Sequence, residues 1–112
     1  ATRPPWAAEA VVRLAELRRR QGRLEEAADL FAQAEGHPLA LVGRAEVHLD
    51  RGDAAAAADL LDRFLREVPP RSRTQRALGL EAAVRARAGL GDLAEAGAAV
   101  DELRDVAATV GG

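Results

Sequence analysis

Gly22–Ala34, with the sequence GRLEEAADLFAQA, is the stretch that decides the fold, because two variants of it follow later in the chain. Gly52–Leu61 reads GDAAAAADLL, and Gly91–Val100 reads GDLAEAGAAV. Each copy begins with a turn glycine, has an alanine five residues on, and places a larger apolar residue four positions after that alanine. A unit that occurs three times predicts a repeat architecture in which neighbouring units share one core.

Apolar residues return every three to four positions on both sides of each turn glycine, which is the period of an amphipathic helix. Two helices joined by so short a turn must be antiparallel neighbours. Prolines separate the pairs, since Pro38 suits a first helical turn and Pro69-Pro70 stops a helix. The pattern therefore predicts an all-α fold of about six helices, with antiparallel helical hairpins stacked as a short α-solenoid. We expect residues 1–112 to form a single domain with units at about 6–35, 38–68 and 72–110.

Several local features predict how individual helices begin and which faces they bury. Asp53 and Asp92 suit helix N-caps, and Ser72-x-x-Gln75 reads as a capping box at the start of the fifth helix. In the first helix the expected apolar face carries Trp6, Ala10, Leu14 and Leu17, with Val11 and Ala15 beside them. The repeated alanines, Ala27, Ala57 and Ala96, predict close approach of paired helices.

Composition excludes several classes of function. The net charge of −2 provides no field for holding nucleic acid or an anionic membrane, and the absence of cysteine excludes disulfides and thiolate chemistry. No apolar run approaches the roughly 20 residues of a membrane span, so we expect a cytoplasmic protein. All 16 basic residues are arginine, and alanine dominates, which is typical of GC-rich, for example actinobacterial, coding. The chain has no initiator methionine, and we expect it to be a fragment of a longer protein.

The repeated unit resembles the tetratricopeptide repeat. The first copy matches at Val11-x-x-Leu14-Ala15-x-x-Arg18, followed by Gly22, Ala27 and Phe31, and the second helices of all three units match better than the first. Turn glycines lie 30 and 39 residues apart, against about 34 in that family. The motif Gly-Asp-x-Ala-x-Ala also resembles sequences in the helical regions of actinobacterial LuxR-type transcription regulators.

The resemblance implies a protein-interaction or regulatory module in a larger cytoplasmic signalling or transcription-regulator protein. Its partners would be a protein or peptide, together with the remaining domains of the parent chain. In this family the first helices line the concave surface that binds the partner. The corresponding positions here are Glu9, Val12, Glu16, Arg19, Arg20, Leu39, Val42, Glu46, Leu49, Asp50, Leu78, Glu81, Arg85 and Ala88. A carboxylate clamp of lysines and asparagines is not expected, because the sequence contains neither residue type.

The sixth helix carries apolar residues on more than one side. These candidate end-face residues are Leu93, Val100, Leu103, Val106 and Val110. An uncovered end of a repeat array tends to associate, which predicts self-association.

Two alternatives to partner binding stay open. One is a structural spacer or oligomerisation segment, and the other is a small-molecule sensor with an enclosed apolar cavity near Trp6 or Phe64. The arginine clusters at 18–20 and 71–76 lack interleaved aromatic residues, so direct nucleic-acid binding is not expected. His37 and His48 stand without other soft ligands, which argues against a metal site, and no cofactor is implied. No acid–base or nucleophilic constellation is present, and we expect no enzyme.

Overall fold

The structure, a computed structural model, describes residues 4–110 except for the side chains of Pro5 and Val110. Six α-helices make up this part of the chain, and it contains no strand. They are α1 (Pro5–Arg20), α2 (Leu24–Gln33), α3 (Pro38–Asp50), α4 (Ala54–Glu67), α5 (Arg73–Gly89) and α6 (Leu93–Val110).

The three repeated glycines end the first helix of each pair in the same way. Gly22, Gly52 and Gly91 have φ values of 79°, 80° and 76°, a left-handed conformation that glycine adopts without steric cost. The N–H of the next residue reaches back five residues to a carbonyl, as in the 2.9 Å bond from Arg23 N to Arg18 O. This is the Schellman ending, which reverses the chain direction and makes each pair antiparallel.

The helix starts follow the sequence prediction with one exception. Asp53 Oδ1 accepts a hydrogen bond from Ala56 N at 3.1 Å, and Asp92 Oδ1 accepts one from Glu95 N at 3.3 Å. Ser72 does occupy the N-cap of α5, but its side chain makes no capping hydrogen bond, so the predicted capping box is wrong. The backbone of Ser72 (ψ 63°) resembles that of Asp53 (ψ 76°), so the difference between the two caps lies in the side chain rather than in the backbone.

The hairpins α1–α2, α3–α4 and α5–α6 stack in chain order. α3 packs against both α1 and α2, and α5 packs against both α3 and α4. Within residues 4–110, the second helices α2, α4 and α6 make no contact with one another. The predicted all-α stack of antiparallel hairpins is therefore confirmed, and α1, α3 and α5 lie side by side along one face.

The interior consists of two clusters, each built around a phenylalanine of a second helix. Phe31 of α2 packs with alanines of its own hairpin and with Ala40 and Val47 of α3. Phe64 of α4 packs with Ala82, Ala83 and Ala86 of α5. Ala27 and Ala57 are completely buried, as predicted for close helix pairs, and Ala96 is also buried.

The predicted apolar face of α1 is exposed at its centre and buried only along the side that carries Val11 and Ala15. Trp6 is 70% exposed and Leu17 is 48% exposed, and Ala10 and Leu14 are exposed as well. Ala15, predicted beside that face, is completely buried and Val11 is half-buried, and Val12 is buried next to them. Helical periodicity shows which residues share a face. Among the described helices α1 packs against α2 and α3 alone, so one of its two apolar faces has no described element against it.

Candidate functional site: a groove across the first helices

The adjacent helices α1, α3 and α5 form a shallow groove that crosses all three hairpins. Its central cavity measures about 300 Å³. The lining side chains come from α1, α3 and α5, with one contribution from α2: Val12, Glu16, Arg19, Arg20, Phe31, Leu39, Val42, Gly43, Glu46, Leu78 and Glu81.

The floor of the groove is apolar and partly open to solvent. Val12 and Val42 are nearly buried, and Leu39 is half-buried between the two core clusters. Leu78 lies at the edge of the cavity and is 47% exposed. An apolar floor of this kind loses water favourably when another apolar side chain covers it.

Arg19 of α1 holds together the polar wall of the groove. Its guanidinium contacts Glu16 at 2.7 Å, Asp50 at 2.9 Å and Glu46 at 3.3 Å, and its side chain is only 15% exposed. Two of its nitrogens donate to the two oxygens of Glu16, which is the bidentate geometry that arginine favours.

Glu46 of α3 lies between two arginines from the neighbouring hairpins. Its carboxylate is 3.3 Å from Arg19 on one side and 3.3 Å from Arg85 of α5 on the other. Arg85 also contacts Glu81 on its own helix at 3.1 Å. The ion pairs therefore connect all three hairpins along the groove.

The two glutamates that share Arg19 have opposite pKa shifts. Burial, with the charge of Glu16 nearby, raises the pKa of Glu46 above its ordinary value, and the attraction of Arg19 and Arg85 does not compensate. Burial also acts on Glu16, but hydrogen bonds from Arg19 and Arg20 outweigh it and lower the pKa of that carboxyl. The carboxylates around Arg19, chiefly Glu16, raise the pKa of its guanidinium, so it stays charged.

Most of the groove residues predicted from the sequence come together. Asp50 and Arg85 contribute through their ion pairs, whereas Leu49 packs partly into the core and Ala88 is exposed beyond the cavity. Glu9 borders an adjoining cavity and contacts His37 Nε2 at 2.7 Å. This hydrogen bond is the main reason that the pKa of Glu9 is lowered, and the nearby positive charge of Arg13 acts in the same direction. His37 also caps α3, since its Nδ1 accepts a hydrogen bond from Leu39 N.

Sequence reasoning missed two lining residues, Phe31 and Gly43. Phe31 was expected only in the core of its own hairpin. The sequence did contain a signal for Gly43. Glycine inside a helix lowers its stability, so its presence there indicates close packing against a neighbouring element. The structure supplies that reason, since a Cβ at Gly43 would overlap the Phe31 ring.

The two arginine clusters differ in their ion pairs. Arg18, Arg19 and Arg20 each contact a carboxylate, whereas Arg71 and Arg73 have no ion pair among the described residues. Arg18 contacts Glu26 at 2.7 Å, and Arg76 of the second cluster contacts Glu102 at 2.6 Å.

The candidate end-face residues of α6 lie in different environments. Leu93 is 74% exposed, whereas Val100, Leu103 and Val106 are half-buried on the stripe that continues from buried Ala96. The side chain of Val110 lies outside the described residues. α6 packs against α5 alone within the described chain, and its exposed side carries Gly97, Asp101 and Arg104.

The cavities expected for a small-molecule sensor are poorly enclosed. Trp6 is 70% exposed, and Phe64 borders a partly open cavity of about 220 Å³ near His37 and Val68. Among residues 4–110 no group of three or more His, Asp or Glu side chains has the arrangement of a metal site. Likewise, no helix in this part of the chain has the length and apolar character needed to span a membrane.

Comparison of the chain with models of known protein families, with curated proteins and with solved structures gives no match. Function must therefore be inferred from the geometry of the groove and from the resemblance of the repeated unit.

Proposed function

We propose that this chain is a protein-interaction module that binds a peptide or partner segment in the groove across α1, α3 and α5. The observation that carries the proposal is a half-exposed apolar floor, at Leu78 and Leu39, bordered by an ordered row of charged side chains. Apolar anchoring with a polar rim is the usual basis of peptide recognition in grooves. The resemblance of the repeated sequence to tetratricopeptide repeats supports the same function.

The groove chemistry favours a segment with one large apolar side chain flanked by charge. The apolar side chain would cover Leu78. Arg20 and Glu81 are exposed at the rim, where each pairs with a neighbour on its own helix, and they would receive groups of opposite charge from the ligand. Arg19 and Glu46 are already paired, so they would orient the ligand rather than supply new ion pairs. We place the module in a larger cytoplasmic signalling or transcription-regulator protein, without catalytic activity or cofactor of its own.

A peptide-display selection tests the proposal directly. Peptides would be selected on the immobilised chain and then compared on Leu78→Asp, which keeps the fold because the side chain is half-exposed. Leu93→Asp is the matched control, since it makes the same change at an exposed leucine of α6, away from the groove. We expect enriched peptides whose affinity falls about tenfold or more on Leu78→Asp, as for loss of a central apolar contact, and is unchanged on Leu93→Asp.

Mapping the bound peptide by amide chemical shifts should then mark α1, α3 and α5. If no peptide depends on Leu78, the groove is not a recognition site. The structural spacer would then be favoured, because the ion pairs among Arg19, Glu46 and Arg85 satisfy the groove's charges internally and tie the hairpins together.

A further inference from the structure

Two helix faces at opposite ends of the stack have no partner within the described chain. On α1 the uncovered face carries Trp6, Ala10, Leu14 and Leu17. On α6, which packs only against α5, the uncovered side includes Asp101 and the accessible part of Leu103.

Residues at the same distance from the turn glycine can be compared between the hairpins, and the exposed face of α1 is equivalent to buried positions of α3 and α5. Twelve residues before its glycine, each first helix has a small residue: Ala10, Ala40 or Gly79. Ala40 and Gly79 are buried against the preceding hairpin, next to Phe31 and Phe64 respectively, whereas Ala10 is exposed.

The same relation holds five residues before the glycine. Val47 and Ala86 are buried there in α3 and α5, within clusters that include side chains of the preceding second helix. Leu17 occupies this position in α1 and is half-exposed. α1 therefore presents the surface that α3 and α5 use to receive a preceding hairpin.

α6 presents the complementary half of that interface. Twelve residues after the turn glycine, Phe64 of α4 meets Gly79, and the equivalent residue of α6 is Leu103. Ten residues after the glycine, Asp62 contacts Arg87 of α5 at 2.6 Å, and the equivalent residue of α6 is the exposed Asp101.

The position of Arg87, four residues before its glycine, is occupied in α1 by Arg18. The two partners of an ion pair equivalent to Asp62–Arg87 are therefore present at opposite ends of the stack, Arg18 on α1 and Asp101 on α6. Arg18 already contacts Glu26. This contact does not prevent a second one, since Arg87 contacts both Asp62 and, at 3.8 Å, Asp92.

The charges of the two helices are also complementary. α1 carries four arginines and two glutamates, whereas α6 carries four acidic residues and one arginine. Opposite net charge favours the encounter of these two surfaces over pairing of either surface with itself.

We propose that α1 of one copy of this chain docks on α6 of a second copy, in the register that α5 and α4 use within the chain. Leu103 of one copy then packs on Ala10 of the other, and Asp101 pairs with Arg18. Because the two surfaces differ, the contact is heterologous, so repeated association extends a row of copies rather than closing a dimer.

Sedimentation equilibrium and light scattering on residues 1–112 test the proposal. From micromolar to millimolar concentration, we expect the average mass to rise beyond that of a dimer without a plateau, and to fall with added salt. A mass that stays monomeric over this range would overturn the proposal and leave the face of α1 to a different helical partner.

Single-end variants test the direction of association. Leu17→Glu blocks the α1 surface, and Asp101→Arg blocks the α6 surface. Each variant alone should associate about tenfold or more weakly, as expected for an unfavourable charge in a buried contact. Asp59→Arg is the control, because it makes the same charge change at an exposed position of α4 and should associate like the unaltered chain.

Mixing the two blocked variants gives the decisive result. One intact α1 surface and one intact α6 surface remain, so the mixture should form a 1:1 dimer and nothing larger. A mixture that stays monomeric, or blocked variants that associate as well as the unaltered chain, would contradict the head-to-tail contact. Circular dichroism melting of each variant confirms that the fold is retained.

Discussion

Gly43 and Gly79 lie in the middle of helices, yet each is held against a phenylalanine ring of the preceding hairpin. A Cβ at Gly43 would overlap the Phe31 ring, and one at Gly79 would overlap the Phe64 ring. Gly97 of α6 is also helical, but a Cβ there would meet nothing within 4 Å. The same substitution therefore has opposite expected effects at chemically identical residues.

We predict that Gly43→Ala and Gly79→Ala each lower the free energy of unfolding by about 1–3 kcal/mol, the usual cost of overpacking. Gly97→Ala should raise it by about 0.5–1 kcal/mol, because alanine loses less backbone entropy in a helix. Urea titration of the three variants measures these changes. A stabilised Gly43→Ala or Gly79→Ala would show that the phenylalanines do not pack tightly between hairpins.

Glu46 and Glu16 share Arg19 but should respond oppositely to neutralisation. The folded-state pKa of Glu46 is raised from 4.5, so its charged form costs stability at neutral pH and its protonation favours the fold as pH falls. The folded-state pKa of Glu16 is lowered from 4.5, so its contribution is present above that value and is lost as pH falls below it.

We predict that at pH ~7 Glu46→Gln is neutral or slightly stabilising, whereas Glu16→Gln destabilises the chain by about 0.5–1 kcal/mol. Any advantage of Glu46→Gln over the unaltered chain should shrink as pH falls toward 4.5. Denaturant titrations between mildly acidic and neutral pH give these differences. An advantage that grows as pH falls would mean that the carboxylate is stabilised rather than penalised by its surroundings.

At the scale of the helix, the two N-cap residues Asp53 and Ser72 show how sequence and local structure diverge. Both types are favoured at helix starts, and both residues occupy the N-cap. Only the Asp53 side chain accepts a backbone N–H, that of Ala56. Residue type therefore predicts the boundary of the helix better than it predicts the capping bond.

We predict that Asp53→Ala lowers the free energy of unfolding by about 1 kcal/mol through loss of the cap. Ser72→Ala should change it by less than about 0.5 kcal/mol, as expected at a position without a specific contact. Thermal and denaturant unfolding of the pair provides the measurement. Equal losses at the two positions would show that the Ser72 hydroxyl does cap α5 in solution.

At the scale of the whole molecule, the stack is supported unevenly. α3 packs against α1, α2, α4 and α5, whereas α6 packs against α5 alone within the described chain. In arrays of repeats, local stability follows the number of neighbouring interfaces, and elements with fewer interfaces open more readily.

We predict that backbone amides of α6 exchange with solvent through partial opening, with protection about tenfold or more below that of α3. Native-state hydrogen exchange at low micromolar concentration, where association is weak, measures the difference. Uniform protection across α3 and α6 would indicate a single cooperative unit instead. At millimolar concentration, docking of α6 on a second copy should raise its protection.

The all-α class, the six helices and their hairpin pairing followed from the sequence alone. The reason is that turn glycines, N-cap residues and apolar periodicity act within a few residues, so their effect does not depend on distant contacts. Gly22, Gly52 and Gly91 adopt the expected left-handed conformation, and most of the predicted groove residues come together because one unit is repeated in register.

Tertiary structure alone decided which of two possible faces each helix buries and which charges meet. Trp6 and Leu17 are apolar and helical in spacing, yet they remain exposed because no described element lies against them. The placement of Glu46 between Arg19 and Arg85 depends on how three hairpins stack, and those residues lie far apart in sequence. Periodicity indicates which side chains share a face, but burial and ion pairing depend on what packs against that face.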